Sequence, residues 1–176
     1  SAMSARLARL ILPVALTLAL PAAAQTAAPQ TQVPQGHVAP AQAGAQPAEL
    51  QQAIAKSNAY VGLMNRTLRA GESWRRYQSW VKSPAGPTGR ERIVYGLYGL
   101  YDVRSEVAKA RAAMSAPPAE PALDSAMGRY IEAYEAFAPV VTEAEGYYER
   151  KDYLVDKMAK GRELHGRLAP AAARYL

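Results

Sequence analysis

The chain has 176 residues, no cysteine and a formal net charge of +6. The missing cysteine excludes disulfides, thiol catalysis and cysteine–zinc sites. Basic and acidic residues are interspersed, and no arginine or lysine stripe carries interleaved aromatics, which argues against a nucleic-acid-binding protein.

The N-terminus has the pattern of a secretory signal peptide. Ser1 and Ala2 resemble a cloning remnant, and arginines then precede an apolar run over residues 10–20. Ala22–Ala24 forms an A-x-A cleavage site before Gln25. The apolar run is too short for a membrane span of about 20 residues, and no cysteine follows it that could carry a lipid. Residues 1–24 therefore predict export to the periplasm as a soluble protein.

Residues 25–46 are rich in alanine, glutamine and proline and nearly free of charge, which predicts a flexible linker. A lone histidine in this tract, His37, is weak evidence for a metal site. The ordered domain is expected over residues 47–176, because helical periodicity begins there.

The first predicted helix follows Pro47 and ends near Gly71, with a second short apolar stripe over residues 72–82. Residues 83–87 then break the helical pattern. Apolar positions of the first helix step by four and three residues, which predicts that they face the core: Leu50, Ile54, Ser57, Val61, Met64 and Leu68. The second stripe consists of Trp74, Tyr77 and Val81.

Thr88–Glu91 has the sequence of a capping box, which predicts a helix from there to about Ser115. The start of this helix alternates tyrosines and glycines over residues 95–101. Two glycines in a helix interior indicate that another backbone passes closely. Tyr95 and Tyr98 would then line a ligand groove or, as the favoured alternative, pack with their hydroxyls in water.

A third helix has a seam with a 3.5-residue repeat, and Pro139 inside it predicts a kink. The seam changes phase over residues 148–154, where Asp152 is a candidate cap for a last helix. These patterns predict an all-α fold, an antiparallel bundle of three to four long helices with coiled-coil-like packing. The third seam is Leu123, Met127, Tyr130, Tyr134, Phe137, Val141, Ala144 and Tyr148, and the last is Leu154, Met158, Gly161, His165, Leu168, Ala172 and Tyr175.

Five stretches of the sequence form a further set of motifs: Asn58–Tyr60, Ser79–Val81, Gly86–Gly89, Tyr95–Leu100 and Tyr147–His165. Together they resemble the motifs of the DUF3829 or YiiG-like family of exported bacterial proteins. The resemblance covers about residues 57–168 and is most specific in the closing stretch. It implies a helical fold and an exported location, but no catalytic residues. Many members look like lipoproteins and continue beyond the final histidine, so this chain resembles a short or truncated member.

No catalytic constellation, cofactor motif or metal-ligand spacing is found, so neither an enzyme nor a metal or cofactor is predicted. His165 is a lone histidine on an apolar face and is therefore expected to be a hydrogen-bonded core residue. A continuous helix would align Glu145, Glu149, Asp152 and Asp156 on one face. The interleaved lysines and arginines favour an ion-pair network, with a cation site or an acid/base pair as alternatives.

Three functions remain open: a non-catalytic envelope protein that binds a partner or ligand, a metal- or ligand-dependent activity centred on residues 147–165, and a structural accessory at the membrane or cell wall. Because Leu168 and Tyr175 continue an apolar stripe to the terminus, self-association or partner contact is predicted there, unless Pro170 ends the helix. The candidate binding residues are Tyr95, Tyr98, Tyr147, Tyr148, Asp152, Tyr153, Asp156, Lys160 and His165.

Overall fold

A computed structural model describes residues 47–176. This part of the chain is all-α and contains no strand, which confirms the predicted fold class. Within it, no helix is both long and apolar enough to cross a lipid bilayer. The predicted signal peptide, the linker and His37 lie outside the described residues. The helices are α1 Ala48–Trp80, α2 Arg104–Met114, α3 Pro121–Glu149, α4 Tyr153–Asp156 and α5 Ala159–Tyr175.

Helices α1 and α3 run in the same direction. Lys56, near the start of α1, bonds to Asp124 near the start of α3. Tyr77, near the end of α1, packs beside Tyr148 near the end of α3, with 6.3 Å between the ring centroids. The start of α1 therefore lies beside the start of α3, and the end of α1 lies beside the end of α3.

The other long segments run the opposite way. Tyr175, at the end of α5, donates to the carbonyl of Thr67, whereas His165, earlier in α5, lies against Tyr77 later in α1. Residues 81–103 and α2 together return along α1. Successive passes of the chain therefore alternate in direction, and the second pass is half extended and half helical.

The core-facing side of α1 is not the one predicted. The predicted seam is exposed, and each of its five large apolar side chains keeps 45–63% of its surface accessible. The buried face includes Lys56, Tyr60, Leu63, Thr67 and Tyr77. This face carries polar groups, but each has a partner inside the molecule. The predicted end at Gly71 is also wrong, because the helix continues to Trp80.

A buried lysine anchors the start of this face. Lys56 is 4% exposed, and its ammonium lies 2.9 and 3.0 Å from the two carboxylate oxygens of Asp124. The Tyr60 hydroxyl donates to the same carboxylate at 2.5 Å. The hydrogen bond from Tyr60 and the Lys56 ammonium hold the pKa of Asp124 below its usual range. Burial of the ammonium is tolerated because its charge is paired and hydrogen-bonded.

The helix predicted to start at Thr88 does not form until Arg104. The capping-box residues do contact one another, since Glu91 accepts from the backbone and hydroxyl of Thr88. The following backbone is instead extended, and Gly96 has a φ of +67°. Side chains of α1 satisfy its polar groups: Ser73 bonds both the N–H and the carbonyl of Tyr98, and Trp80 donates to the carbonyl of Gly96.

The seams of α3 and α5 face the core as predicted, apart from their first members. Leu123 is half exposed and Leu154 is 70% exposed. Helix α3 continues through Pro139 without interruption. The predicted change of phase is a real break, in which Lys151, Lys157 and Met158 take left-handed backbone conformations around the short α4. Residues other than glycine rarely adopt this backbone conformation, so surrounding contacts must stabilise it.

Candidate functional site

His165 lies at the centre of the region where the sequence motifs come together. Its Nδ1 atom lies 3.0 Å from the Tyr77 hydroxyl, and its Nε2 atom lies 3.0 Å from the carbonyl oxygen of Pro84. Gly86 lies over the ring with a φ of +99°, and a Cβ there would be 2.8 Å from the His165 Cγ. The motif over residues 86–89 and the final histidine, far apart in sequence, therefore fit together sterically.

The hydrogen bonds assign a role to each nitrogen of His165. A carbonyl oxygen can only accept, so Nε2 carries the proton that it donates to Pro84. In the neutral ring, Nδ1 then accepts from the Tyr77 hydroxyl. Both nitrogens are occupied, and neither partner is a serine or a carboxylate. The interpretation of His165 as a hydrogen-bonded structural residue, rather than the base of a triad, agrees with this geometry.

Tyr148 fills the space next to this histidine site. Its ring centroid lies 5.0 Å from that of Trp80 and 4.8 Å from that of Tyr147. Two glycines make room for it: a Cβ on Gly96 would be 3.3 Å from the Tyr148 Cβ, and one on Gly161 would be 2.8 Å from the hydroxyl. The hydroxyl is buried without a hydrogen-bond partner among the described residues. Burial raises the pKa of Tyr148.

Asp156 connects this aromatic cluster to the start of α5. It accepts a hydrogen bond of 2.8 Å from the Tyr147 hydroxyl and one of 2.9 Å from the backbone N–H of Lys160. Burial raises the pKa of Asp156, but the hydrogen bonds outweigh burial and hold the pKa below its usual range. Burial and the bond to Asp156 raise the pKa of Tyr147. Asp156 therefore acts as a cap that the aromatic cluster orients.

The four carboxylates predicted to share one helical face are separated by the break after Glu149. Asp152 pairs with Arg150 at 2.9 Å, and Asp156 turns inward. Across residues 47–176, no group of three or more histidine or carboxylate side chains is placed to hold a metal ion. The charge network instead joins α3 to α5 through other residues: Glu143, Lys160, Glu163 and Arg167.

The tyrosines of the extended segment lie elsewhere, along the outside of α1. The Arg76 guanidinium lies 6.0 Å from the ring centroid of Tyr95 and 4.4 Å from that of Tyr98. Arg69 lies 4.0 Å from the Tyr98 ring and Arg66 4.7 Å from the Tyr101 ring. Guanidinium groups thus lie against the ring faces of these tyrosines, to which they are attracted. Tyr95 and Tyr98 do not join the cluster around His165.

Other candidate residues also have structural positions. Tyr153 packs beside Tyr148 at 6.1 Å between centroids, and Lys160 pairs with Glu143 and Glu163. Leu168 is fully buried in the core, and Tyr175 stacks on Phe137. The predicted partner contact at Leu168 has to be corrected, because the chain's own helices cover that side chain. Tyr175 is partly buried and borders an open groove, so the partner contact there stays a prediction.

Sequence reasoning missed Tyr77, Lys56 and Ser73 as partners of these groups. Nothing in their local sequence identifies those partners, which lie 88, 68 and 25 positions away. The motif over residues 86–89 could have indicated part of the His165 site, because it contains the loop against which His165 packs.

The surface left open is the outer face of α1, which we define as Leu50, Ile54, Val61, Met64 and Leu68. Each of these side chains is 45–63% exposed. Below it, a groove of about 350 Å³ runs between Met64, Leu68 and the last turn of α5. Apolar patches larger than a few hundred Å² are uncommon on monomeric proteins unless another molecule covers them.

Comparison with known proteins agrees with the resemblance of the motifs. The chain is 34% identical over 157 residues to the uncharacterized protein YiiG of Escherichia coli (strain K12), an alignment that covers 82% of this chain and 45% of YiiG. It thus spans less than half of that relative's length. No solved structure matches the chain. The model of the family "Protein of unknown function (DUF3829)" matches residues 51–176, and the chain belongs to that family.

Proposed function

We propose that this chain is a non-catalytic binding protein of the bacterial envelope that holds a helical partner against the outer face of α1. The observation that carries the proposal is the exposure of five large apolar side chains on one side of one helix. Exposing such an area to water is unfavourable by roughly 25 cal/mol per Å², so a partner that covers it gains binding energy.

The polar residues of the family motifs support a role without catalysis. His165 uses both ring nitrogens, and Asp156 accepts from a tyrosine and a backbone amide. Gly96 and Gly161 lie in close contact with Tyr148, and even a Cβ at Gly161 would be 2.8 Å from its hydroxyl oxygen. A catalytic base must reach a substrate atom with an available nitrogen or oxygen, and both ring nitrogens of His165 are already engaged by protein groups.

An envelope location follows from the N-terminal sequence rather than from the fold. Residues 10–20 and the Ala22–Ala24 site have the order of a cleavable signal. We expect N-terminal sequencing of exported protein to begin at Gln25. A start before Ala22, or extraction that requires detergent, would contradict this part of the proposal.

The binding role can be tested by photo-crosslinking in intact bacteria. A benzophenone amino acid is placed at Met64 on the outer face or at Ile93, which has a similar exposure of 50%. We expect discrete crosslinked products from position 64 and none from position 93. Equal products from both positions, or none from either, would exclude a specific surface on α1.

A second candidate, an accessory at the membrane surface, is favoured by the tip formed by α4. Val155 is 87% exposed and adjoins Leu154, and the flanking Lys151 and Lys157 are exposed. Apolar tips with neighbouring lysines attach to anionic lipid. Sedimentation with vesicles that contain phosphatidylglycerol should then be lost in Leu154→Ser with Val155→Ser. Unchanged sedimentation in that variant would remove this candidate.

A further inference from the structure

We propose that the occupant of the outer face of α1 is a second copy of this chain, with the two α1 helices antiparallel around a two-fold axis near Ala59. This inference rests on the proposed binding role and names its partner. It assigns self-association to the exposed outer face of α1 instead of the apolar stripe of α5.

The spacing of the outer face favours a helix as the occupant. From Leu50, and including Ser57, the positions step by 4, 3, 4, 3 and 4 residues to Leu68. This is the repeat of two helices packed side by side, and it extends over roughly 27 Å of α1. A lipid surface would not require this repeat, because it takes up apolar side chains at any spacing.

The spacing of the outer face is the same in both directions along α1, so two copies of the face complement each other in an antiparallel pair. Leu50 lies opposite the partner's Leu68, Ile54 opposite the partner's Met64, and Ser57 opposite the partner's Val61. The largest side chains thereby meet at the two ends, while the small residues lie at the axis. A Cβ on Gly62, close to the axis, would meet nothing within 4 Å, so no residue of the described part of the chain, 47–176, fills this space.

The distribution of charge selects the antiparallel direction. The positions beside the outer face are exposed, uncharged amides, Gln51, Asn58 and Asn65, which can both donate and accept across the axis. The arginines of α1, from Arg66 onward, all lie in its second half. A parallel pair would bring these arginines together, whereas the antiparallel pair keeps them apart. Like charges at such a contact are destabilising.

The test is sedimentation equilibrium of the chain purified from the envelope, over a range of concentrations. We expect a monomer–dimer equilibrium. Leu50→Lys alone and Leu68→Glu alone should each weaken the dimer by roughly tenfold or more, because each places a charge against an apolar side chain. The matched control is Leu123→Glu, which changes a half-exposed leucine on α3 and should leave the equilibrium unchanged.

The decisive variant carries both Leu50→Lys and Leu68→Glu. In the antiparallel pair each lysine faces the partner's glutamate, so association should recover to well above that of either single variant. In a parallel pair like charges would meet and association would be lost further. All altered side chains are exposed, and circular dichroism should show unchanged helix content in every variant.

Three results would overturn the proposal: a monomer at every concentration, equal weakening by Leu123→Glu, or no recovery in the double variant. A monomer that still gives position-64 crosslinks to another protein would refute the second copy and retain the binding role. A monomer without any such crosslinks would refute both.

Discussion

A Cβ atom on Gly161 would lie 2.8 Å from the hydroxyl oxygen of Tyr148. It would also lie 3.2 Å from the Pro87 Cγ, so the first turn of α5 is wedged between Tyr148 on α3 and Pro87 in the loop after α1. This relationship explains why a residue that disfavours helices occupies a helical position. The absence of a side chain is what permits α5 to approach α3 and the loop before the extended segment.

Gly161→Ala should therefore destabilise the fold by about 1–3 kcal/mol, as overpacking of a filled core does. Gly166→Ala is the matched control, because it lies on the same helix and a Cβ there meets nothing within 4 Å. Alanine is a better helix former than glycine, so the control should stabilise by roughly 0.5–1 kcal/mol. Urea unfolding of both variants measures the difference, and shifts of the same sign would show that Gly161 is not wedged.

Asp124→Ala should lower the free energy of unfolding far more than removal of an exposed ion pair does, because it leaves the buried Lys56 ammonium without its counter-charge. Glu135→Ala removes a half-exposed ion pair with Arg111 and should change stability by less than about 1 kcal/mol. A loss for Asp124→Ala as small as for Glu135→Ala would mean that Lys56 reaches water when unpaired. Thermal unfolding followed by circular dichroism can compare the two.

The sequence predicted α3 and α5 well because each has one apolar seam of large side chains. Phe137, Val141 and Leu168 have no competing face, so periodicity alone determines which side is buried. Helix α1 has two seams with the same repeat. The one that packs inside contains Lys56 and Thr67, whose burial depends on partners in α3. Local sequence cannot supply partners that the fold brings from elsewhere.

The extended pass over residues 81–103 was missed for a related reason. The capping box forms only in part: Glu91 accepts from the Thr88 N–H, but the Thr88 hydroxyl accepts from the N–H of Arg90 instead of that of Glu91. A cap of this kind does not by itself commit the next residues to a helix. Gly96 permits a left-handed conformation, and α1 provides bonds for the extended backbone. The His165 site was predicted in part, since the histidine and Tyr148 were identified while Tyr77 was not.

Alkaline pH should unfold the protein through its tyrosines. Burial raises the pKa of Tyr60 to about 12 from its ordinary value of 10.0, and it raises the pKa of Tyr77 and Tyr175 as well. The folded state therefore retains protons that the unfolded chain releases near pH 10. Stability from these groups is complete below about pH 10 and is lost as pH rises toward their folded pKa values.

The measurement is the urea midpoint against pH, together with ultraviolet absorbance of tyrosinate. The midpoint should begin to fall near pH 10, and absorbance should rise together with unfolding. Tyr60→Phe should flatten the alkaline fall, because it removes a buried hydroxyl whose pKa is raised in the folded state. Tyrosinate absorbance that rises fully before any unfolding would contradict the raised pKa values.

Ser73→Ala tests how α1 holds the extended pass. The Ser73 hydroxyl donates to the Tyr98 carbonyl and accepts from the Tyr98 N–H, each at 3.0 Å. Ser73 is fully buried, so alanine would leave both backbone groups unsatisfied at a cost of about 1–3 kcal/mol for each buried group. Ser79→Ala, an exposed position on the same helix, should lie within about 0.5 kcal/mol of the parent.

Amide hydrogen exchange should show faster exchange at Tyr98 in Ser73→Ala, while the amides of α5 change only as far as global stability falls. Unchanged protection of Tyr98 would mean that Trp80 and Arg76 hold the segment without the serine.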